Sequence, residues 1–268
     1  MPVTMTRLHV EKTGTGPPLV AIHGFGASLY TWHAIRQTLE ATHTVHAFDL
    51  KGHGLSPKPD DGKYSVHDQA ALIADYIKDQ GLSNVTLVGH SFGGGVSLAL
   101  ALDLIQHAPG VLGSLVVIDG AAYNQPLPGF IRALRLPILG ALSQYLLPIS
   151  WQVRIVLRLA FFHDERITDD AVAAYGAALR MPGGRRALRE TARQILPADI
   201  EALAAQYPTI HVPALIIWGR EDQIVPLWVG ERLSAALPNA RLVVFDQVGH
   251  VPHEETPDPV RLELEAFL

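Results

Sequence analysis

The pentapeptide Gly89-His90-Ser91-Phe92-Gly93 places one serine between small residues, just after the apolar run Asn84-Val85-Thr86-Leu87-Val88. Val85 to Val88 reads as a buried strand and Gly94 to Ile105 as a helix, so Ser91 falls on a very tight strand-to-helix turn. Side chains at the flanking positions would collide there, and glycine removes that obstacle. The first N–H groups of the helix then point toward anything attached to Ser91, where a tetrahedral oxyanion would need them. The chemistry indicated is attack by a serine hydroxyl. The competing reading is a serine that caps a helix, with the glycines serving close packing alone.

Two further regions carry compatible groups. The run Leu19-Val20-Ala21-Ile22 ends in His23-Gly24-Phe25-Gly26-Ala27-Ser28, whose glycines let the backbone approach a ligand and expose the Phe25 N–H. Later, Leu215-Ile216-Ile217-Trp218 leads into Gly219-Arg220-Glu221-Asp222, and Leu242-Val243-Val244-Phe245 leads through a loop to Gly249-His250. Ser, Asp and His thus occur in that order, each beyond a strand-like run. Asp119 also ends such a run and His253 lies close to His250, so both are rivals for the acid and base roles. The tight turn should aim His90 away from Ser91, while His23 and His53 sit in glycine turns where fixing a loop is the simpler role. The 13 histidines include no His-x-x-x-His pair beside an acid, so no metal site is expected.

The elements that must position these groups alternate in type. Leu8 to Glu11 reads as an edge strand, followed by strands at Leu19 to Ile22 and Thr44 to Phe48 with an amphipathic stretch, Tyr30 to Glu40, between the latter two. Ser65 to Gln80 reads as a long helix stopped by Gly81, with Ala70, Leu72, Ile73, Tyr76 and Ile77 at helical spacing. The strand at Val85 to Val88, its helix and a strand at Ser114 to Ile118 come next. Short apolar strands separated by helices imply a mainly parallel sheet covered on both faces, with ligands bound beyond the carboxyl ends of its strands. All the motif residues lie at those ends.

The alternation stops after Asp119-Gly120-Ala121. From Ala122 to Tyr207 there are helix-like stretches at Gly129 to Leu142, Trp151 to Phe161 and Asp169 to Leu179, broken by prolines and by Pro182-Gly183-Gly184. Strand character returns at Val212-Pro213-Ala214-Leu215. The expected organisation is a core in two parts, 1–121 and 208–268, with a helical cap at 122–207 that roofs Ser91. Its apolar residues Ile131, Leu134, Ile138, Leu146, Leu147, Trp151, Val156 and Phe161 are candidates for an acyl pocket, against the plainer role of packing the cap on the core. Leu136 to Val153 carries no formal charge, but its prolines and the flanking Arg132, Arg135, Arg154 and Arg158 argue against a spanning helix. Stable membrane insertion is not expected, although contact of the cap with a lipid surface stays open.

A chain of 268 residues can bury on the order of 75% of its unfolded surface in one core. Cysteine is absent, which excludes disulfides and thiolate chemistry. The net charge is −5 with 18% charged residues and no basic cluster of the kind that tracks a phosphate backbone, so nucleic acid is not an expected partner. The first residues, Met1 to Arg7, carry no apolar signal region, and a cytoplasmic location is the default expectation. No feature of the sequence indicates an oligomeric state.

Taken together, these segments resemble the α/β-hydrolase family, specifically its lidded Ser-Asp-His carboxylesterase-like members. The resemblance runs from His23-Gly24 through Asp49-Leu50-Lys51-Gly52-His53-Gly54-Leu55-Ser56 to Gly249-His250, with one departure at Lys51, where many relatives carry arginine. It implies an α/β fold with a mainly parallel eight-stranded sheet flanked by helices, and an inserted helical cap. It also implies Ser91 as nucleophile, His250 as base, Asp222 as acid, and the Phe25 and Phe92 N–H groups as the oxyanion hole, with no cofactor. The expected substrates are a small-molecule carboxylic ester of small to medium acyl chain and water. A serine nucleophile makes relatives that open epoxides or displace halide by carboxylate attack poor guides. Carbon–carbon bond hydrolysis of a vinylogous diketone acid is the alternative, with Arg132, Arg135, Arg154 or Arg158 to hold its carboxylate. A ligand receptor on the same scaffold is the alternative from a different class.

Overall fold

The computed structural model describes residues 7–268. Seven strands build one sheet: β1 (His9–Thr13), β2 (Pro18–Ile22), β3 (Thr44–Asp49), β4 (Val85–His90), β5 (Leu112–Ile118), β6 (Ala214–Gly219) and β7 (Ala240–Phe245). Their spatial order is β1-β3-β2-β4-β5-β6-β7, with β1 antiparallel to β3 and every other pair parallel. The expected eight strands are therefore seven among the described residues. The eighth came with the family resemblance; the apolar runs of the sequence supply seven, and each becomes one of these strands.

Strand alternation feeds two apolar layers. Val20 and Ile22 of β2 face a core shared with α2 (Val66–Asp79) and α3 (Phe92–His107), while Leu19 and Ala21 face Ile35 and Leu39 around α1 (Arg36–Thr42). With both faces covered, β4 and β6 are buried at every residue and read as continuous apolar runs. Helix α2 starts where the sequence signals it: Ser65 accepts from the Asp68 N–H, and the Asp68 carboxylate accepts from the Ser65 N–H in return.

Between β5 and β6 the chain makes six helices: α4 (Gly129–Arg135), α5 (Leu139–Leu146), α6 (Ile149–Ala160), α7 (Asp169–Arg180), α8 (Gly184–Arg193) and α9 (Ile200–Ala204). The expected single helix over 129–142 is two, because Pro137 interrupts it. The insertion begins and ends at one place, since the Tyr207 hydroxyl donates to the Ala122 carbonyl at 2.8 Å. After β6 come α10 (Leu227–Ala236), β7, α11 (Pro252–Glu255) and α12 (Pro257–Phe267), whose Val260 and Leu264 complete the second layer.

The chain runs from β2 outward to β3 and then returns to the other side of β2 to form β4. Loops leaving β2 and β4 diverge at this reversal, which opens a crevice at the carboxyl end of the sheet. Residues 23–28 and 91–93 meet there.

Candidate active site

Ser91 links β4 to α3 with φ 55° and ψ −120°, a conformation that costs a non-glycine residue about 1–3 kcal/mol. Surrounding hydrogen bonds hold it. Its N–H donates to the Ile118 carbonyl at 2.9 Å, and its own carbonyl accepts from Gly94 at 2.9 Å and Ala121 at 3.0 Å. The glycines are required by close approach: a methyl group on Gly93 would overlap the Ile22 and His23 carbonyls, and one on Gly24 would lie 3.0 Å from the Ser91 Cβ. The turn is thereby pressed against the end of β2. His23 fixes that end, because the Leu50 N–H donates to its Nε2 at 3.0 Å, leaving Nδ1 as the donor to the Gly24 carbonyl at 2.7 Å.

Residues separated by more than a hundred positions meet at Ser91. His250 Nε2 lies 2.8 Å from Ser91 Oγ, and His250 Nδ1 lies 2.7 Å from Asp222 Oδ2. The other Asp222 oxygen accepts the N–H groups of Ile224 at 2.7 Å and Val225 at 3.0 Å. With a carboxylate against Nδ1, the imidazole carries its proton there and turns an acceptor toward the serine hydroxyl. All three side chains are buried.

The rivals have other partners. Asp119 Oδ1 accepts the Gly219 N–H at 3.0 Å, and its second oxygen has no hydrogen-bond partner. Burial and the nearby Asp222 carboxylate push the Asp119 carboxyl well above the usual carboxylate range. His253 Nε2 lies 2.9 Å from Thr31 Oγ1, and burial lowers this imidazole to about 3. His90 points to the His250 carbonyl at 2.9 Å, and burial likewise keeps it neutral. Lys51 turns away from Ser91 to pair with Asp61 at 2.6 Å and to donate to the Lys63 carbonyl at 2.9 Å. Asp119, Asp222 and His250 are also the one group among the described residues whose donor atoms, within 4.8 Å of one another, suit a metal ion. The hydrogen bonds just given already engage all but one of their side-chain donor and acceptor atoms.

Ser91 opens into a cavity of about 320 Å³ between the sheet and the insertion. Phe25 and Phe92 both line it. The Phe92 N–H is the first of α3 and has no carbonyl one turn back within its helix. Of the eight apolar candidates, Ile131, Leu134, Leu147 and Val156 line the cavity and Phe161 is buried beside it. Ile138, Leu146 and Trp151 do not: they are 79, 71 and 65% exposed, because α5 and α6 turn these positions outward. None of the four flanking arginines reaches the cavity wall, which carries no lysine or arginine among the described residues.

Sequence reasoning missed several polar groups. Gln125 lines the cavity with a buried, unpartnered Oε1. The Tyr175 hydroxyl, from α7, donates to Glu254, which also accepts from Thr31 at 2.6 Å. Burial pushes Glu254 up to about 7. Glu255 accepts the N–H groups of Gly249 at 2.8 Å, Phe162 at 3.2 Å and His163 at 2.7 Å. The His250 N–H itself donates to the Ala160 carbonyl at 2.6 Å. The signal available was the pair of acids just after Gly249-His250, which no periodic pattern distinguishes from surface charge.

Residues 19–262 match the Alpha/beta hydrolase family. An uncharacterized protein of Mycobacterium tuberculosis (strain ATCC 25618 / H37Rv) is 31% identical over 263 residues, covering 91% of this chain and 73% of that protein. The 2-hydroxymuconate semialdehyde hydrolase of Pseudomonas putida is 30% identical over 269 residues, covering 98% of this chain and 90% of that protein. A meta-cleavage product hydrolase from Pseudomonas fluorescens IP01 superposes with a TM-score of 0.82 at 25% identity, over 97% of this chain and 93% of that one.

Proposed function

The chain belongs to the alpha/beta hydrolase family, and on that premise we propose that it is a serine hydrolase cleaving carboxylic esters of small to medium acyl chain. The observation that carries this reading is the hydrogen-bonded line Ser91–His250–Asp222 opening into an uncharged, mainly apolar cavity. Ser91 Oγ attacks the acyl carbonyl while His250 Nε2 takes its proton, and Asp222 stabilises the imidazolium. The Phe25 and Phe92 N–H groups receive the negative charge that develops on the carbonyl oxygen. Collapse breaks the bond to the alcohol oxygen, which leaves with the proton from His250. Water then attacks the acyl-enzyme, gives a proton to the same nitrogen, and the acid departs as Ser91 recovers its hydrogen. This chemistry uses no cofactor. Residues 122–207 act as the cap that selects the acyl group.

One observation favours a second reading. The Pseudomonas putida relative is named for hydrolysis of 2-hydroxymuconate semialdehyde, a cue to carbon–carbon bond cleavage in a vinylogous diketone acid. A carboxylate-bearing substrate calls for a cationic partner, and the cavity wall offers none among the described residues. The test is a fluorophosphonate probe followed by peptide mapping, alongside turnover of p-nitrophenyl esters and of a diketone acid. Labelling at Ser91 in proportion to lost esterase activity is expected. Labelling elsewhere with undiminished turnover, or turnover of the diketone acid alone, overturns the ester reading.

A further inference from the structure

The outer face of α5 and α6 leaves large apolar side chains in water: Ile138, Leu142, Tyr145, Leu146 and Trp151 are each more than half exposed. A run of this size on one helical hairpin exceeds the scattered apolar exposure of an ordinary surface. Basic residues predominate along these helices. Residues 120–163 contain Arg132, Arg135, Arg154 and Arg158 and no acidic residue. Residues 122–207 hold ten arginines and seven acids, net +3, whereas the rest of the chain carries −8. Arg154 and Arg158 pair with Asp169 and Asp164 from the following segment, while Arg132 and Arg135 stand exposed beside the patch with no acidic partner among the described residues. The apolar surface also continues inward, because Leu147 and Ile155 are exposed at 42 and 47% and yet line the cavity above Ser91.

We propose that the α5–α6 face docks onto a bilayer bearing anionic phospholipid, with the apolar side chains entering the headgroup boundary and the arginines meeting the lipid phosphates. This is the arrangement of an interfacial amphipathic helix pair, lying on a membrane and not through it. No helix among the described residues is long and apolar enough to cross. An acyl ester dissolved in the bilayer would then reach Ser91 past Leu147 and Ile155 along apolar surface. That route rests on the ester-hydrolase reading; the docking does not. A second copy of this chain fits the face less well, since paired α5–α6 faces would bring arginines of both copies together.

The test sediments the full chain with sucrose-loaded vesicles of pure phosphatidylcholine or of phosphatidylcholine mixed with phosphatidylglycerol, with p-nitrophenyl acetate turnover measured separately in vesicle-free buffer. The chain should pellet with the anionic vesicles, and Trp151 fluorescence should shift to the blue in a way that Trp151→Phe abolishes. Ile138→Asp with Leu146→Asp should keep the ester turnover and lose the pelleting. Arg132→Gln with Arg135→Gln should weaken anionic binding by about five-fold per arginine. Loss of turnover with binding intact would count against the ester reading alone. The docking proposal is overturned by a parent chain that stays in the supernatant or by pelleting that survives the double aspartate variant. It is also overturned by a dimer in analytical ultracentrifugation that the aspartates convert to monomer, which would make the face a protein interface.

Discussion

Replacing Asp222 or Asp119 by asparagine separates two buried acids that stand on either side of one strand end. In Asp222→Asn the amide has two orientations. If its oxygen keeps the Ile224 and Val225 N–H groups, now at 2.7 and 3.0 Å from Asp222 Oδ1, its NH2 faces His250 Nδ1. That nitrogen must then accept, the proton moves to Nε2, and Ser91 meets a donor where its own proton should go. The reverse orientation aims the NH2 at two backbone donors and leaves both unsatisfied, at about 1–3 kcal/mol each. The first orientation wins, so the imidazole is locked in the unreactive tautomer. The expected loss in kcat is about 10⁴-fold, or about 5 kcal/mol of barrier, with the fold intact. Asp119→Asn behaves differently. Asp119 Oδ1 accepts only the Gly219 N–H at 3.0 Å, and an amide oxygen does the same. Its kcat should stay within a few-fold. The assay is kcat and KM on p-nitrophenyl butyrate, with circular dichroism and Tm for each variant. A crippled Asp119→Asn beside a near-normal Asp222→Asn would transfer the acid role and refute the argument from tautomers.

Val156→Phe should reduce kcat/KM on longer acyl esters by about four-fold for each methylene displaced, leaving the acetyl ester nearly unchanged, because Val156 lines the cavity; Leu146→Phe, at an outward position, should change neither, and equal effects from both would refute the wall assignment. Glu254 binds a proton in the folded chain up to about pH 7, whereas unfolded it releases it near 4.5. Its raised value makes stability fall as pH rises through that window, so Tm should drop between pH 5 and pH 7.5 and Glu254→Gln should flatten the drop, as differential scanning calorimetry at matched ionic strength would record.

The turn at Ser91 was legible because its constraint is local: Gly89 and Gly93 answer to atoms a few residues away or at the end of one neighbouring strand. The meeting of Asp222 with His250 was legible only to a choice between acids, since Asp119 ends β5 as Asp222 follows β6. Which of the two carboxylates hydrogen-bonds His250 depends on how the loops after β6 and β7 approach, and sequence order does not encode that approach. The cavity wall was least legible. Leu146 and Val156 are equally apolar in the sequence, and which of them faces Ser91 depends on how α5 and α6 rotate after Pro137 and Pro148 break the chain. Glu254 and Glu255 were unreadable for a related reason. Their partners, Tyr175 in α7 and the N–H groups of Phe162 and His163 beyond α6, lie on a segment about 80 to 90 residues earlier in the chain.

The bonds from Ala160, Phe162 and His163 to His250 and Glu255 have a consequence for engineering. An exchange of the inserted helices would be cut at the two points where they leave the sheet, here the Ala122 and Tyr207 junction. In this molecule such a chimaera would sever the seam at the far end of α6, leave the Glu255 carboxylate with the Gly249 N–H alone, and remove the Ala160 carbonyl that accepts the His250 N–H. The unit that can be exchanged therefore includes residues 249–255 together with the helices, although they are distant in the chain. A donor segment recombined with its own version of that loop keeps its imidazole aligned; one recombined without it inherits a pocket whose histidine has lost its anchor.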